Sequence, residues 1–123
     1  MRLIDSHCHL DDDRFDLDRN QIVARAKDCN VRRIIIPATT ANRWRKLKQV
    51  SQLYEGTYPT YGLHPMFMAS HRAQHISELD AWLDQESPIA VGECGLDFFI
   101  GREDEKQQIK LFSDQLQLAK NHR

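Results

Sequence analysis

Four short apolar runs recur along the chain, and each leads into a longer stretch whose apolar residues repeat with helical spacing. The first run, residues 2–5, continues into Ser6-His7-Cys8-His9. The second, residues 32–37, is apolar on both faces through Ile34, Ile35 and Ile36, as in a strand covered on both sides. Pro37 suits its end. The third, residues 58–62, is weakened by Pro59, which cannot donate a ladder hydrogen bond. The fourth covers residues 89–93. Between Ile4, Ile35, Thr60 and Val91 the spacing is 31, 25 and 31 residues, which matches the ~30 residues of a strand–helix–strand unit.

The intervening stretches predict helices. Residues 17–29 place Ile22, Val23 and Ala26 on one stripe behind an acidic first turn, Asp16 and Asp18, which complements a helix N-terminus. Trp44, Leu47, Val50, Leu53 and Tyr54 line a second helix that Gly56 ends. Ile76, Leu79, Trp82 and Leu83 line a third, closed by Pro88. Ile109, Phe112, Leu116 and Ala119 line a fourth that runs to the last residues. This alternation predicts an α/β fold with a parallel sheet and right-handed crossovers. Four βα units cannot close on themselves. The parent architecture expected is a TIM (β/α)8 barrel, which needs ~250 residues. Residues 1–123 are then one incomplete domain, the first four βα units, with strands five to eight absent.

Composition narrows the setting. The chain has 123 residues, 41% hydrophobic and 28% charged, with a net charge of −1; disorder, which needs low hydrophobicity with high net charge, is excluded. No run approaches the ~20 apolar residues of a membrane span, and no membrane partner is expected. Met1-Arg2-Leu3-Ile4-Asp5 meets a carboxylate before an apolar signal core develops. Cys8, Cys29 and Cys94 are odd in number and lack CxxC spacing, so no disulfide framework is expected. A soluble protein of the reducing cytoplasm is the expectation. Near-neutral charge gives no global attraction to polyanions. Arg43, Arg45, Lys46 and Lys48 surround Trp44, which shares the apolar stripe of Leu47 and Val50, so this basic run reads as the solvated face of a helix. It makes no convincing nucleic-acid loop.

The candidate chemistry sits at strand ends. In Asp5-Ser6-His7-Cys8-His9, period-two geometry puts His7 and His9 on one face and Cys8 on the other. Two imidazoles at a strand's C-terminal end make half of a divalent-metal site suited to zinc, manganese or iron. Asp5 shares their face one step deeper and is expected to orient a ring from behind. In Val91-Gly92-Glu93-Cys94-Gly95-Leu96-Asp97, a carboxylate follows a buried strand between two glycines, so Glu93 is expected to donate oxygen to the same metal or to bridge two. His64, in Tyr61-Gly62-Leu63-His64-Pro65, ends the third strand at the same rim and is expected to contact substrate. His71, His75 and His122 have no partner spacing and read as surface residues. Cys8 and Cys94 read as small buried groups beside the site.

Four of these segments, Asp5-Ser6-His7-Cys8-His9-Leu10, Ile36-Pro37-Ala38-Thr39, Gly62-Leu63-His64-Pro65 and residues 91–97, resemble in order the motifs of the TatD family, metal-dependent hydrolases of the amidohydrolase superfamily commonly described as deoxyribonucleases. Residues 107–120 resemble the family's helix after the fourth strand. The resemblance implies that His7, His9 and Glu93 bind one or two divalent ions (Mg, Mn or Zn), with His64 and Asp97 near the site. It implies hydrolysis of DNA phosphodiester bonds by metal-activated water, with DNA as the substrate of the full-length parent. It also places the remaining ligands and the aspartate expected as base beyond Arg123, so that this chain alone is expected to be inactive. Two alternatives stay open: hydrolysis of an ester, lactone or amide, and a non-catalytic truncated fragment. Exposed half-barrel edges are expected to favour self-association.

Overall fold

The computed structural model describes residues 1–122. Three parallel strands, β1 (Leu3–Asp5), β2 (Val31–Pro37) and β3 (Thr57–Thr60), lie side by side in that order. Helices α1 (Arg19–Asp28), α2 (Trp44–Leu53) and α3 (Gln74–Glu86) follow them in turn, and α4 (Glu105–Asn121) ends the described chain. The predicted order of units stands.

The core lies between sheet and helices. Ile34, Ile36 and Ala38 from β2 and its extension pack with Val23 of α1, with Trp44, Leu47 and Val50 of α2, and with Leu79 and Leu83 of α3. The expected stripes of the first three helices are therefore largely the ones that bury, except that Leu53, at the end of α2, is 72% exposed. Gly56 does not end α2, which stops at Leu53. It instead forms the turn just before β3 at φ +87°, and a Cβ there would meet the Arg32 carbonyl at 2.6 Å. Only glycine fits both demands.

Two further expectations fail. The fourth strand shrinks to one bridge, between Tyr61 and Val91. Thr60 turns its carbonyl to Ala38 of the β2 side, whereas Tyr61 turns its own to the Gly92 N–H at 3.0 Å. Alternation then puts Pro59 on the side of the fourth segment, where it has no N–H to give. In α4 the expected stripe is rotated. Gln108, Gln115 and Leu118 are buried, while Ile109 and Leu116 are 46% and 53% exposed.

Candidate metal centre

Beyond β1 the chain stays beside β2, because the Cys8 N–H donates to the Ile35 carbonyl at 3.0 Å. This extended path sends Cys8 against the core and leaves His7 and His9 together on the opposite side. Glu93 arrives from the other end of the sheet. Its N–H donates to the Ala38 carbonyl at 3.2 Å, in a peptide packed flush against Gly62. A Cβ on Gly62 would lie 2.6 Å from the Gly92 carbonyl carbon and 2.9 Å from the Glu93 nitrogen. Any side chain there would push the carboxylate out of place.

The three side chains converge. His7 Nε2 lies 3.2 Å from His9 Nε2, and Glu93 Oε2 lies 3.4 Å from the first and 3.3 Å from the second. Ligands ~2.0–2.2 Å from a tetrahedral zinc are themselves roughly 3.3–3.6 Å apart. Glu93 Oε2 is buried and has no hydrogen-bond partner. A buried carboxylate oxygen without a donor is costly, and a cation among these three atoms would satisfy it. Two imidazole nitrogens and one carboxylate oxygen fit a borderline divalent ion.

His64 holds the other carboxylate oxygen. Its Nδ1 accepts from the Met66 N–H at 3.0 Å, which places the ring proton on Nε2, and that nitrogen faces Glu93 Oε1 at 2.9 Å. The backbone of His64 is pinned twice, with its N–H on the Thr39 carbonyl at 2.8 Å and its own carbonyl accepting from His71 Nε2 at 2.7 Å. His71 is therefore not a surface histidine. It is half-buried behind His64, and burial, the leading cause, holds its pKa below the usual value. Nothing in a lone His at this spacing signals such a role. His122 contacts Asp80 at 2.6 Å, and His75 Nδ1 accepts from the Arg72 N–H.

Asp5 and Asp97 both contact backbone groups rather than the side chains of the triad. Asp5 Oδ1 accepts from the His7 backbone N–H at 3.1 Å, so it fixes the turn into the motif rather than a ring. Asp97 Oδ1 accepts from the Phe99 N–H, while Gln108 holds the Asp97 N–H and carbonyl at 2.8 and 2.9 Å. Asp97 shapes the loop after Glu93 and lines a neighbouring cleft. Burial raises the thiol pKa of both Cys8 and Cys94, in keeping with inert packing groups.

His9 and Glu93 face a cleft of about 320 Å³ whose walls include Asp11, Asp12, Asp13, Arg43, Met66 and Phe67. Sequence reasoning missed how this wall is built. Arg19, buried, donates to the Leu10 and Asp12 carbonyls at 2.7 and 2.9 Å. Arg43 donates to the Asp11 carbonyl and to Asp13 at 2.8 and 2.9 Å, and Lys46 pairs with Asp13 and Asp16. The basic run is thus not merely solvated: two of its members fasten the acidic loop. Lys46 is the leading cause of the lowered pKa of Asp13 and of Asp16, and Arg14 brings Asp12 down to about 2.

Residues 4–123 match the family model described as TatD related DNase. The chain is 34% identical over 123 residues to the uncharacterized metal-dependent hydrolase YjjV of Escherichia coli K12, covering 98% of this chain and 48% of that protein. It is 33% identical over 118 residues to the 3'-5' ssDNA/RNA exonuclease TatD of a Pantoea species, covering 95% and 45%. It is 33% identical over 131 residues to the human deoxyribonuclease TATDN3, covering 96% and 48%. The crystal structure of the Escherichia coli YjjV protein superposes with a TM-score of 0.93 at 34% identity, over 98% of this chain and 48% of that one. The chain spans about half the length of these relatives. Its parallel sheet and helices match the corresponding part of their TIM barrel.

Proposed function

The chain belongs to the family of TatD related DNases, and on that premise we propose that His7, His9 and Glu93 hold a divalent metal ion at which phosphodiester bonds of DNA are hydrolysed. The observation that carries this reading is the near-equilateral triangle of His7 Nε2, His9 Nε2 and the unpartnered Glu93 Oε2. A divalent ion bound there supplies Lewis-acid stabilisation of a phosphoryl oxygen and lowers the pKa of water. The chain's own residues do the rest. The close packing of Gly62 on the Gly92–Glu93 peptide sets the position of the carboxylate. His64 holds Glu93 Oε1 through its Nε2 proton and stands where it can pass that hydrogen bond to a substrate oxygen. The names of the Pantoea and human relatives support a nucleic-acid substrate.

The donor set favours zinc or manganese over magnesium, since imidazole is a poor ligand for the harder ion. We read residues 1–123 as the first four βα units of the relatives' barrel. The three free cysteines support a reducing compartment, the cytoplasm. Among the described residues no helix is long and apolar enough to cross a membrane. The unpaired outer edge of β1 is proposed to let two copies associate.

The test is cleavage of a labelled DNA oligonucleotide with zinc or manganese added. Slow, metal-dependent cleavage that His7→Ala abolishes is expected; the rate is low because the triad alone leaves metal and water loosely held. Cleavage indifferent to His7→Ala would contradict the reading. Hydrolysis of an aryl ester or lactone with the same dependence, DNA being untouched, would favour the other branch of the superfamily.

A further inference from the structure

His64 begins a short segment, residues 64–71, that folds back on itself. Pro65–Ser70 form a 3-10 turn of 6 residues, broken at Phe67 by φ −106° and ψ 30°. Hydrogen bonds of this kind have poor geometry in runs longer than ~3–4 residues, so the segment needs support from outside the turn. The His71 side chain supplies it. Its Nε2 donates to the His64 carbonyl at 2.7 Å, which also accepts from the Phe67 N–H at 3.1 Å. A carbonyl only accepts, so the His71 proton sits on Nε2. His71 Nδ1 is buried without a hydrogen-bond partner among the described residues. The ring therefore has a single polar task, closing residue 71 onto residue 64.

What the closed segment holds is the His64 ring. Two contacts that orient the ring come from it: the Met66 N–H on Nδ1 at 3.0 Å, and the Phe67 ring, edge-on with centroids 5.8 Å apart. They aim Nε2 at Glu93 Oε1, 2.9 Å away. A hydrogen bond onto an ionised carboxylate is one of the strong ones. With Oε1 engaged, Oε2 alone faces His7 and His9. A carboxylate with both oxygens free can chelate an ion and take two of its positions. One that offers a single oxygen leaves a position for water, which a catalytic zinc site needs. Each bond of this series joins two residues between His64 and Glu93, so it is complete within the chain.

We infer that His71 is a positioning residue for the metal centre: by closing the 64–71 segment it keeps the His64 Nε2 proton on Glu93 Oε1, so that Glu93 offers the ion one oxygen. This rests on the reading of the triad as a metal site. Residues that orient a metal ligand from behind commonly change metal affinity by roughly 10–100-fold when lost. His71 acts one step further back, through His64, so the low end of that range is expected.

The experiment compares His71→Asn with His71→Gln. Both carry the same amide, but the Asn nitrogen reaches only as far as the place of Nδ1, whereas the Gln nitrogen reaches that of Nε2 and can still donate to the His64 carbonyl. In the metal-free wild-type chain, labelled with nitrogen-15 on histidine, long-range proton–nitrogen spectra should show His64 protonated on Nε2 alone. His71→Asn should move both ring nitrogens toward the averaged shifts of two exchanging tautomers, and His71→Gln should restore the wild-type shifts. Zinc affinity by calorimetry should follow, about tenfold weaker in His71→Asn and unchanged in His71→Gln. A residue that only stabilises the turn would lower the denaturant midpoint and leave the His64 shifts and zinc affinity at their wild-type values. That result, or equal behaviour of the two variants, would overturn the inference while leaving the metal reading in place. Wild type that takes up no zinc, or takes it up with an affinity that His7→Ala leaves unchanged, would contradict the metal reading and the inference with it.

Discussion

Glu93 divides its work between two oxygens, one held by His64 and one buried without a donor. The pair His7 and His9 was legible in the sequence, because period-two geometry needs only a strand to bring them together. Glu93 was legible as a carboxylate closing an apolar run between glycines. Asp5 and His71 were not, because each acts through a backbone group, and no spacing encodes that. His71 makes a pH prediction. Its folded pKa lies below the ordinary 6.5, so below that value the unfolded chain takes up a proton that the folded one resists. The neutral ring's contribution is full above pH 6.5 and is lost as pH falls through the folded value. Wild type should therefore lose more stability than His71→Gln between pH 7.5 and 5.5 by urea titration; equal losses would refute it. Cysteine chemistry gives a second check. Exposed Cys29 should react with iodoacetamide at neutral pH well before Cys8 and Cys94, whose thiols burial keeps protonated, and peptide mapping of the labelled chain would show the order.

At the level of elements, α4 teaches most. Its apolar residues predicted a stripe through Ile109 and Leu116, yet the helix turns Gln108 and Gln115 inward. Gln115, 1% exposed, accepts from the Leu63 N–H at 2.7 Å and donates to the Leu63 carbonyl at 3.0 Å. Gln108, seven residues earlier on the same face, does the same for Asp97. These amides take the place of a neighbouring strand for backbone that the shortened fourth segment leaves unpaired, and so hold the loops that carry His64 and follow Glu93. A pattern of apolar residues cannot reveal this, since glutamine scores as surface. Gln115→Leu should cost about 1–3 kcal/mol by leaving a buried N–H and carbonyl unpaired. Ile109→Ser should change stability by less than about 0.5 kcal/mol. Denaturant midpoints would rank the two, and the reverse order would restore the predicted stripe.

At the scale of the whole molecule, the order of βα units followed from spacing because each unit is local in sequence. How far the fourth segment pairs did not, since it depends on which side of β3 Pro59 faces. Among the described residues no strand pairs with the outer edge of β1, and Leu3 and Ile4 beside it are exposed. An open edge with apolar side chains is a template for pairing. Light scattering at micromolar concentration should report a dimer or larger species that Ile4→Lys reduces; a monomer unaffected by that change would exclude edge pairing.

The most direct test of the metal centre is X-ray absorption at the zinc edge on the chain loaded with one equivalent of zinc. Two imidazole nitrogens and a carboxylate oxygen at ~2.0–2.2 Å are expected, with that signature lost in His7→Ala. Zinc held by thiolate sulfur at ~2.3 Å, or a spectrum unchanged by His7→Ala, would show that the ion binds elsewhere and that His7, His9 and Glu93 are not its ligands.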